Sequence, residues 1–458
     1  MIDRRRFLKC VAAAAAVPAV PTHARASDAG FGPLRPDPNK LLDLPRGFEL
    51  TVVSRVGDGM SDGLRVPGKH DGMAAFDTGD GRVALICNHE MDSVFHEASA
   101  FGKSFTTLPD SVRARVYDHG GGETPGAGGT TTTIYDPAKQ RTERHFPSLA
   151  GPEVNCAGCP TPWGTWLSCE ESFESPGTSF LAGRKLTREQ RHGYVFEVPA
   201  SSEGLVDPVP LKAMGRFEHE AAAVHEPTGI VYMTEDRYHS LFYRFLPEVP
   251  GDLKRGGRLQ ALAIRGRPSL PTHNWSSAPD IEPGRPQDVE WIDLDDVDPE
   301  ENNLRLRGAR GGAAMFARGE GLCEADGDFV FTCTIGGPAR LGQVFRYTPS
   351  PEEGTAEEGA NPGTLTLFAE CSEDTLLRNA DNLTMAPWGD LIICEDTSHQ
   401  CSLVGIRPDG SQYLLADNTW SNSELAGVCF SPDGQTLFVN VQHPGTTVAI
   451  TGPWPSVG

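Results

Sequence analysis

Four acidic blocks close short apolar runs in this chain: Asn88-His89-Glu90, Cys169-Glu170-Glu171, Thr234-Glu235-Asp236 and Cys394-Glu395-Asp396. Polar anchors stand upstream of these or comparable runs, at Asp71, Asn155-Cys156, His219-Glu220, Glu320, Asp381-Asn382 and Glu424. Carboxylates gathered in a low-dielectric setting cannot all ionise without compensation, so their natural chemistry, should they meet, is cation binding. Oxygen ligands suit Ca²⁺, whereas the thiolate of Cys156 suits a transition metal. Arg318, two residues before Glu320, is the candidate phosphate clamp, because a guanidinium grips an oxyanion through two donors. Ordinary readings stand beside these. A strand-end glutamate is commonly a solvated loop residue, His89 and His219 can cap strands, and Arg318 can pair with acidic neighbours. Cys169, Cys333 and Cys394 end apolar runs and read as buried packing, as do Trp163, Trp166 and Trp388. Cys156 and Cys159 form a CxxC, but no second CxxC supports zinc.

The elements that would position these residues repeat. Six segments share a turn glycine, a β-rich apolar run and a polar end, with the glycines at 81, 164, 229, 327, 389 and 434. An apolar strand starting at one of the anchors precedes each, and a third strand follows at variable distance. Six strand–turn–strand–strand units predict an all-β fold, a six-bladed β-propeller with a central channel. Loop insertions fall near 91–129, 172–191 and 247–312, and the stretch 47–53 can supply the outer strand that closes the ring. An irregular β-sandwich is the competing architecture. In a propeller the first strand of each blade lines the channel, and the second returns to the same mouth. One rim would then gather Asp71, Asn88, His89, Glu90, Cys156, Glu170, Glu171, His219, Glu220, Glu235, Asp236, Glu320, Asp381, Asn382, Glu395, Asp396 and Glu424.

Residues 1–26 read as an export address, with Arg4-Arg5-Arg6 before a short apolar run and Ala24-Arg25-Ala26 as a cleavage site. A twin-arginine signal and a periplasmic or secreted destination are expected, with the Tat machinery as partner. Residues 27–458 would form one propeller domain, a monomer without stable membrane insertion. The net charge of −22 argues against nucleic acid as a partner. Ten of the eleven cysteines remain after residue 10, with no regular disulfide spacing. Segment 351–362, with four glutamates among Pro, Gly and Ala, reads as a solvated loop.

At several of these motifs the sequence resembles the PhoX family of secreted, twin-arginine-exported alkaline phosphatases. The resemblance rests on Asn155-Cys156-Ala157-Gly158, on residues 161–171 ending Cys169-Glu170-Glu171, and on Phe217-Glu218-His219-Glu220. It continues through Tyr232-Met233-Thr234-Glu235-Asp236, Arg318-Gly319-Glu320-Gly321, Asp381-Asn382-Leu383 and the stretch 431–445. It implies a six-bladed phosphatase that hydrolyses phosphate monoesters with Fe³⁺ and Ca²⁺ ions around an oxo or hydroxo nucleophile. Cys156 would contact iron, and Glu170, Glu171, Glu235, Glu320 and Asp381 would supply further metal ligands. Glu90 and Glu220 join the metal set mainly through rim geometry. Arg318 would hold the substrate phosphate, with Glu171 and Cys156 also counted in the catalytic centre. Two other readings compete: a calcium-dependent propeller lactonase, needing no thiolate, and a non-catalytic periplasmic binding propeller.

Overall fold

A computed structural model of the chain describes residues 30–455 apart from 103–104, 106–107, 182 and 277; the export address at 1–26 lies outside the described residues. The predicted repeat appears as antiparallel hairpins. They are β1 (His70–Asp77) with β2 (Val83–His89), β3 (Asn155–Pro160) with β4 (Thr165–Glu170), and β5 (His219–His225) with β6 (Ile230–Glu235). The others are β7 (Gly319–Ala325) with β8 (Asp328–Cys333), β9 (Ala380–Met385) with β10 (Leu391–Glu395), and β11 (Leu425–Phe430) with β12 (Thr436–Val441). Left-handed glycines at the turns, such as Gly81, Gly389 and Gly434, make the tight reversals possible.

The first strands pack side by side in a closed ring: β1 on β3, β3 on β5, β5 on β7, β7 on β9, β9 on β11 and β11 back on β1. Outer strands extend the hairpins into sheets. Glu49–Arg55 pairs with Thr446–Thr451 beyond β12, so the N-terminal segment closes the last sheet as its sequence led us to expect. The sheets do not fall into six separate units. Those of β1, β3, β9 and β11 have three or four strands, while a nine-stranded sheet carries β5 and β7 at its two ends. The join within that sheet is short: Gln287 pairs with Leu365 and Asp288 with Thr364. The architecture is an all-β, propeller-like one.

Second strands lie inside their sheets with both faces covered, so even their polar residues, such as Ser168 and Asn440, are buried. Every residue of β4, β6, β10 and β12 is buried. Leu167, Val195, Val231, Met233 and Tyr243 form one inter-sheet core, and Ile392, Leu403, Leu415, Leu437 and Val448 form another. At about 1.5–3 kcal/mol for each large side chain removed from water, these layers carry the fold.

Segment 351–362 is not simply solvated. Glu353 is buried, accepts from the Tyr232 and Tyr347 hydroxyls, and pairs with Arg244 at 2.5 Å, while Arg244 Nη2 also reaches Glu358 at 2.7 Å. A buried guanidinium needs carboxylate partners, and this loop brings them. Among the described residues no helix is long and apolar enough to cross a membrane.

Candidate metal centre

Each of the six hairpin ladders breaks at the same place. Pairing is interrupted between His70 and Met73, Asn155 and Gly158, His219 and Ala222, Gly319 and Leu322, Ala380 and Leu383, and Ala426 and Cys429. A bulge re-aims the side chain it releases. Five of the released positions carry a metal-ligating group, namely Asp71, Cys156, Glu220, Glu320 and Asp381, and the sixth is Gly427. In four of the six the next residue is small, Gly72, Ala157, Ala221 or Gly321, where neighbouring strands converge. A Cβ on Gly72 would stand 2.6 Å from Ala157 Cα, and one on Gly321 2.7 Å from Asn382 Cα.

Carbonyls freed by the bulges are capped from adjoining hairpins. Asn440 donates to Asp71 O at 2.6 Å and Asn88 to Cys156 O at 3.1 Å. Thr234 donates to Glu320 O at 2.5 Å and Thr332 to Asp381 O at 2.8 Å. These caps join neighbouring hairpins through backbone carbonyls rather than through the released side chains.

Those side chains, with Glu90, Glu171 and Glu424, form three groups, two of which share Glu220. Cys156, Glu171 and Glu220 form one, Glu220, Glu320 and Asp381 a second, and Asp71, Glu90 and Glu424 a third, the ligand atoms within each group lying within 4.8 Å of one another. Glu220 belongs to two groups, so its two oxygens can bridge. It is wholly buried, and neither of its oxygens accepts a hydrogen bond among the described residues. Burial, then Glu171 and Asp381, push its carboxyl well above the ordinary range. Burial and Asp236 act likewise on Glu171 and Glu320, and burial with Asp396 on Asp381 and Glu424. Asp71 is pushed up to about 7 by burial and Glu90. The Cys156 thiol is raised by burial, Asp71 and Glu220. Orphaned oxygens, a thiol and crowded acids in one place fit cations, which would relieve the desolvation and repulsion together.

Two predicted metal ligands are not brought to these groups. Glu170 is turned into its own sheet, where its carboxylate accepts from the backbone N–H groups of Glu153, Gly193 and Tyr194. It also bonds His192 Nδ1 at 2.7 Å, while His192 Nε2 bonds Asp118 at 3.1 Å. Although burial opposes it, the Glu170 carboxylate holds His192 up at about 10. Glu235 is buried against the Tyr243 hydroxyl at 2.8 Å and the Leu241 N–H. In each pair the first acid faces the sheet and the next residue, Glu171 or Asp236, faces the rim. Alternation along a strand dictates that outcome. Asp71 and Glu424 do join the groups, although they stood only on the wider rim of the sequence reading. His89 and His219 are strand caps: His89 bonds Gly68 O and Thr131, and His219 bonds Gly215 O.

Arg318 stands at this mouth in a left-handed conformation, φ +58°. Its Nε and Nη2 donate to Asp236 at 2.7 and 2.6 Å, and Nη2 lies 2.8 Å from Glu320. Lys69 adds a second cation, 3.1 Å from Glu90. All ten described cysteines are free.

The sequence profile of the family described as alkaline phosphatase PhoX matches residues 29–445. No curated protein matches the chain. Among solved structures, Pseudomonas fluorescens PhoX in complex with vanadate, a transition state analogue, is 19% identical with a TM-score of 0.66, over 90% of this chain and 96% of that one. The β-propeller domain of Myceliophteria thermophila Cps50 (Swd1) is 9% identical with a TM-score of 0.42, over 88% of this chain and 100% of that one, too distant to carry an argument. At such identities the likeness to the first establishes a shared fold.

Proposed function

The chain belongs to the alkaline phosphatase PhoX family, and from that premise we propose that it is a metal-dependent phosphatase that hydrolyses phosphate monoesters at the acidic mouth of the channel. The observation that carries the reading is the meeting of Cys156, Glu171 and Glu220 with Glu320 and Asp381 around the bridging, unpartnered carboxylate of Glu220.

Cys156, Glu171, Glu220, Glu320 and Asp381 would hold one set of ions, and Asp71, Glu90 and Glu424 another. The thiol suits a transition metal in the first set, where the family resemblance implies Fe³⁺, and the all-oxygen third group suits Ca²⁺. Bound ions would offset the phosphate charge, lower the pKa of a water or hydroxide nucleophile, and stabilise the leaving oxygen. The protein's own part is orientation. Arg318 grips the non-bridging phosphate oxygens, Asp236 aims it, and the capped bulges keep the ligands from drifting. Glu170 and Glu235 act as supports behind the rim. The nine-stranded sheet is read as two blades joined at their outer edges, which makes six blades in all around the ring of first strands. Export through the twin-arginine route would deliver the enzyme, folded and loaded, to the periplasm or beyond.

The test is elemental analysis of natively exported protein together with hydrolysis of 4-nitrophenyl phosphate. Iron with calcium, and activity lost in folded Cys156→Ala and Arg318→Ala variants, is the expected result. Calcium alone with no phosphatase activity would overturn the reading in favour of a lactonase, and no bound metal would leave a binding propeller.

A further inference from the structure

Beside Arg318 the mouth carries a cluster that the metal chemistry does not use. Trp275 stacks on buried His273, with ring centroids 4.2 Å apart and planes 14° apart. The Arg340 guanidinium lies over the same indole at 4.4 Å. Tyr238 meets the indole edge-on at 6.5 Å and His239 at 5.6 Å.

Backbone and side-chain bonds tie this cluster to the phosphate clamp. Arg318 N–H donates to Arg237 O at 2.9 Å, one residue before Tyr238. Thr334 N–H donates to Arg318 O at 3.0 Å, and the Trp275 indole N–H donates to the carbonyl of the next residue, Ile335, at 2.7 Å. Gly337 N–H donates to His273 O at 2.8 Å, which anchors the loop that carries Arg340. The cluster is therefore built on the same backbone segments that hold Arg318.

Its exposed parts are the ones that recognise flat rings. Tyr238 is 49% exposed, so part of its side chain is open to a ligand beside the indole. Arg340 is exposed, has no acidic partner among the described residues, and is laid flat by the indole. An arginine held flat offers its outer face to a π-system at little entropic cost. The surrounding rim is acidic, so a second anionic group on the substrate is disfavoured there, while a neutral or electron-rich ring is not.

We propose that Tyr238 and Arg340, braced by Trp275, form a subsite for a planar aromatic ring carried by the leaving group of the phosphate ester. The subsite rests on the phosphatase reading above and gives that site its preferred substrate class, aryl or nucleoside monophosphates over aliphatic ones.

The test compares metal-loaded wild type, Tyr238→Ala and Arg340→Ala on 4-nitrophenyl phosphate, a purine nucleoside 5′-monophosphate and glycerol phosphate. Both side chains are exposed, and thermal melting checks that each variant folds. In each variant the ratio of kcat/KM for an aromatic ester to that for glycerol phosphate should fall about tenfold, through KM. A fall with 4-nitrophenyl phosphate places the ring at the ester oxygen, and a fall with the nucleotide places it one sugar away. Ratios equal to wild type for both aromatic esters would overturn the subsite. A loaded wild type that hydrolyses none of the three would overturn the phosphatase reading itself, before any ratio is formed.

Discussion

Arg318 and Asp236 form a two-point ion pair, with Nε and Nη2 donating to the two carboxylate oxygens at 2.7 and 2.6 Å. Nη1 has no partner among the described residues, so the pair fixes the guanidinium plane and leaves one edge for a ligand. Burial opposes its charge, but Glu320 and Asp236 hold the group protonated well above the ordinary arginine range. Arg318→Ala should lower kcat/KM by roughly 10²–10³-fold, the usual loss when an oxyanion donor is removed. Arg318→Lys should recover little of it, because an ammonium cannot take Asp236 and phosphate together in one plane. Asp236→Asn should fall between the two. Steady-state kinetics on a phosphomonoester decides the order, and a fully active Arg318→Lys would remove Arg318 as a bidentate clamp.

The acidic ring makes the metal-free protein sensitive to alkali. Burial and mutual repulsion raise Asp71 from 3.8 to about 7, and raise Glu171, Glu220, Glu320, Asp381 and Glu424 well above their ordinary range. A carboxyl whose folded pKa is raised costs nothing while it is protonated in both states. As pH climbs past the unfolded value, the unfolded chain loses a proton that the folded chain must retain, and stability is lost. For Asp71 that window runs from 3.8 to about 7. The Tm of chelator-treated protein should therefore fall as pH rises through this range and beyond, while the metal-loaded protein holds its Tm. Loading near neutral pH should also release protons, visible by calorimetry in buffers of different ionisation enthalpy. A metal-free Tm that is flat or rising with pH would contradict the crowded-acid picture.

Adjacent glutamates should separate cleanly. Glu170 accepts three backbone N–H bonds and a bond to His192, so Glu170→Ala leaves buried donors unpaired and should cost about 3–5 kcal/mol. Glu171→Ala removes a repelled acid, so the metal-free Tm should hold or rise while bound metal and activity fall. Thermal melts and elemental analysis of the two variants distinguish these outcomes, and metal loss from Glu170→Ala at unchanged Tm would restore Glu170 as a ligand.

What the sequence made legible follows from periodicity. Turn glycines and apolar runs placed all six hairpins, and the anchors before them marked the channel end of each first strand. Cys156, Glu171, Glu220, Glu320, Asp381 and Glu90 converge because those anchors share one rim. Glu170 and Glu235 went astray because an acidic pair at a strand end has one member on each face, and nothing local says which. The tell lay across blades: an acid or thiol followed by a small residue, as in Asp71-Gly72, Cys156-Ala157, Glu220-Ala221 and Glu320-Gly321. The pattern marks a bulge where strands converge, and it becomes readable only when the hairpins are aligned on their ladders. Contacts such as Arg244 with Glu353 and Glu358 join residues more than a hundred positions apart and left no trace in either local segment.

Gly427 offers the sharpest test of the ring, because it fills the position that holds an acid or thiol in the other five hairpins. Its φ is +62°, and a Cβ there would stand 2.2 Å from Asp71 O and 3.0 Å from Asn440 Nδ2. Asn440 caps that same carbonyl at 2.6 Å, so an added methyl must push β1 and break the cap together. Gly389 has a comparable backbone, φ +96°, yet a Cβ on it meets nothing within 4 Å. Gly389→Ala should therefore cost only the left-handed penalty, about 1–2 kcal/mol, with metal content and kcat/KM kept. Gly427→Ala pays that penalty and also displaces Asp71 from Glu90 and Glu424, so bound metal and activity should both drop. Elemental analysis of the two alanine variants, each with its Tm, isolates the contact from the backbone strain. Full metal content in Gly427→Ala, with its activity kept, would show that Asp71 is not needed to hold an ion.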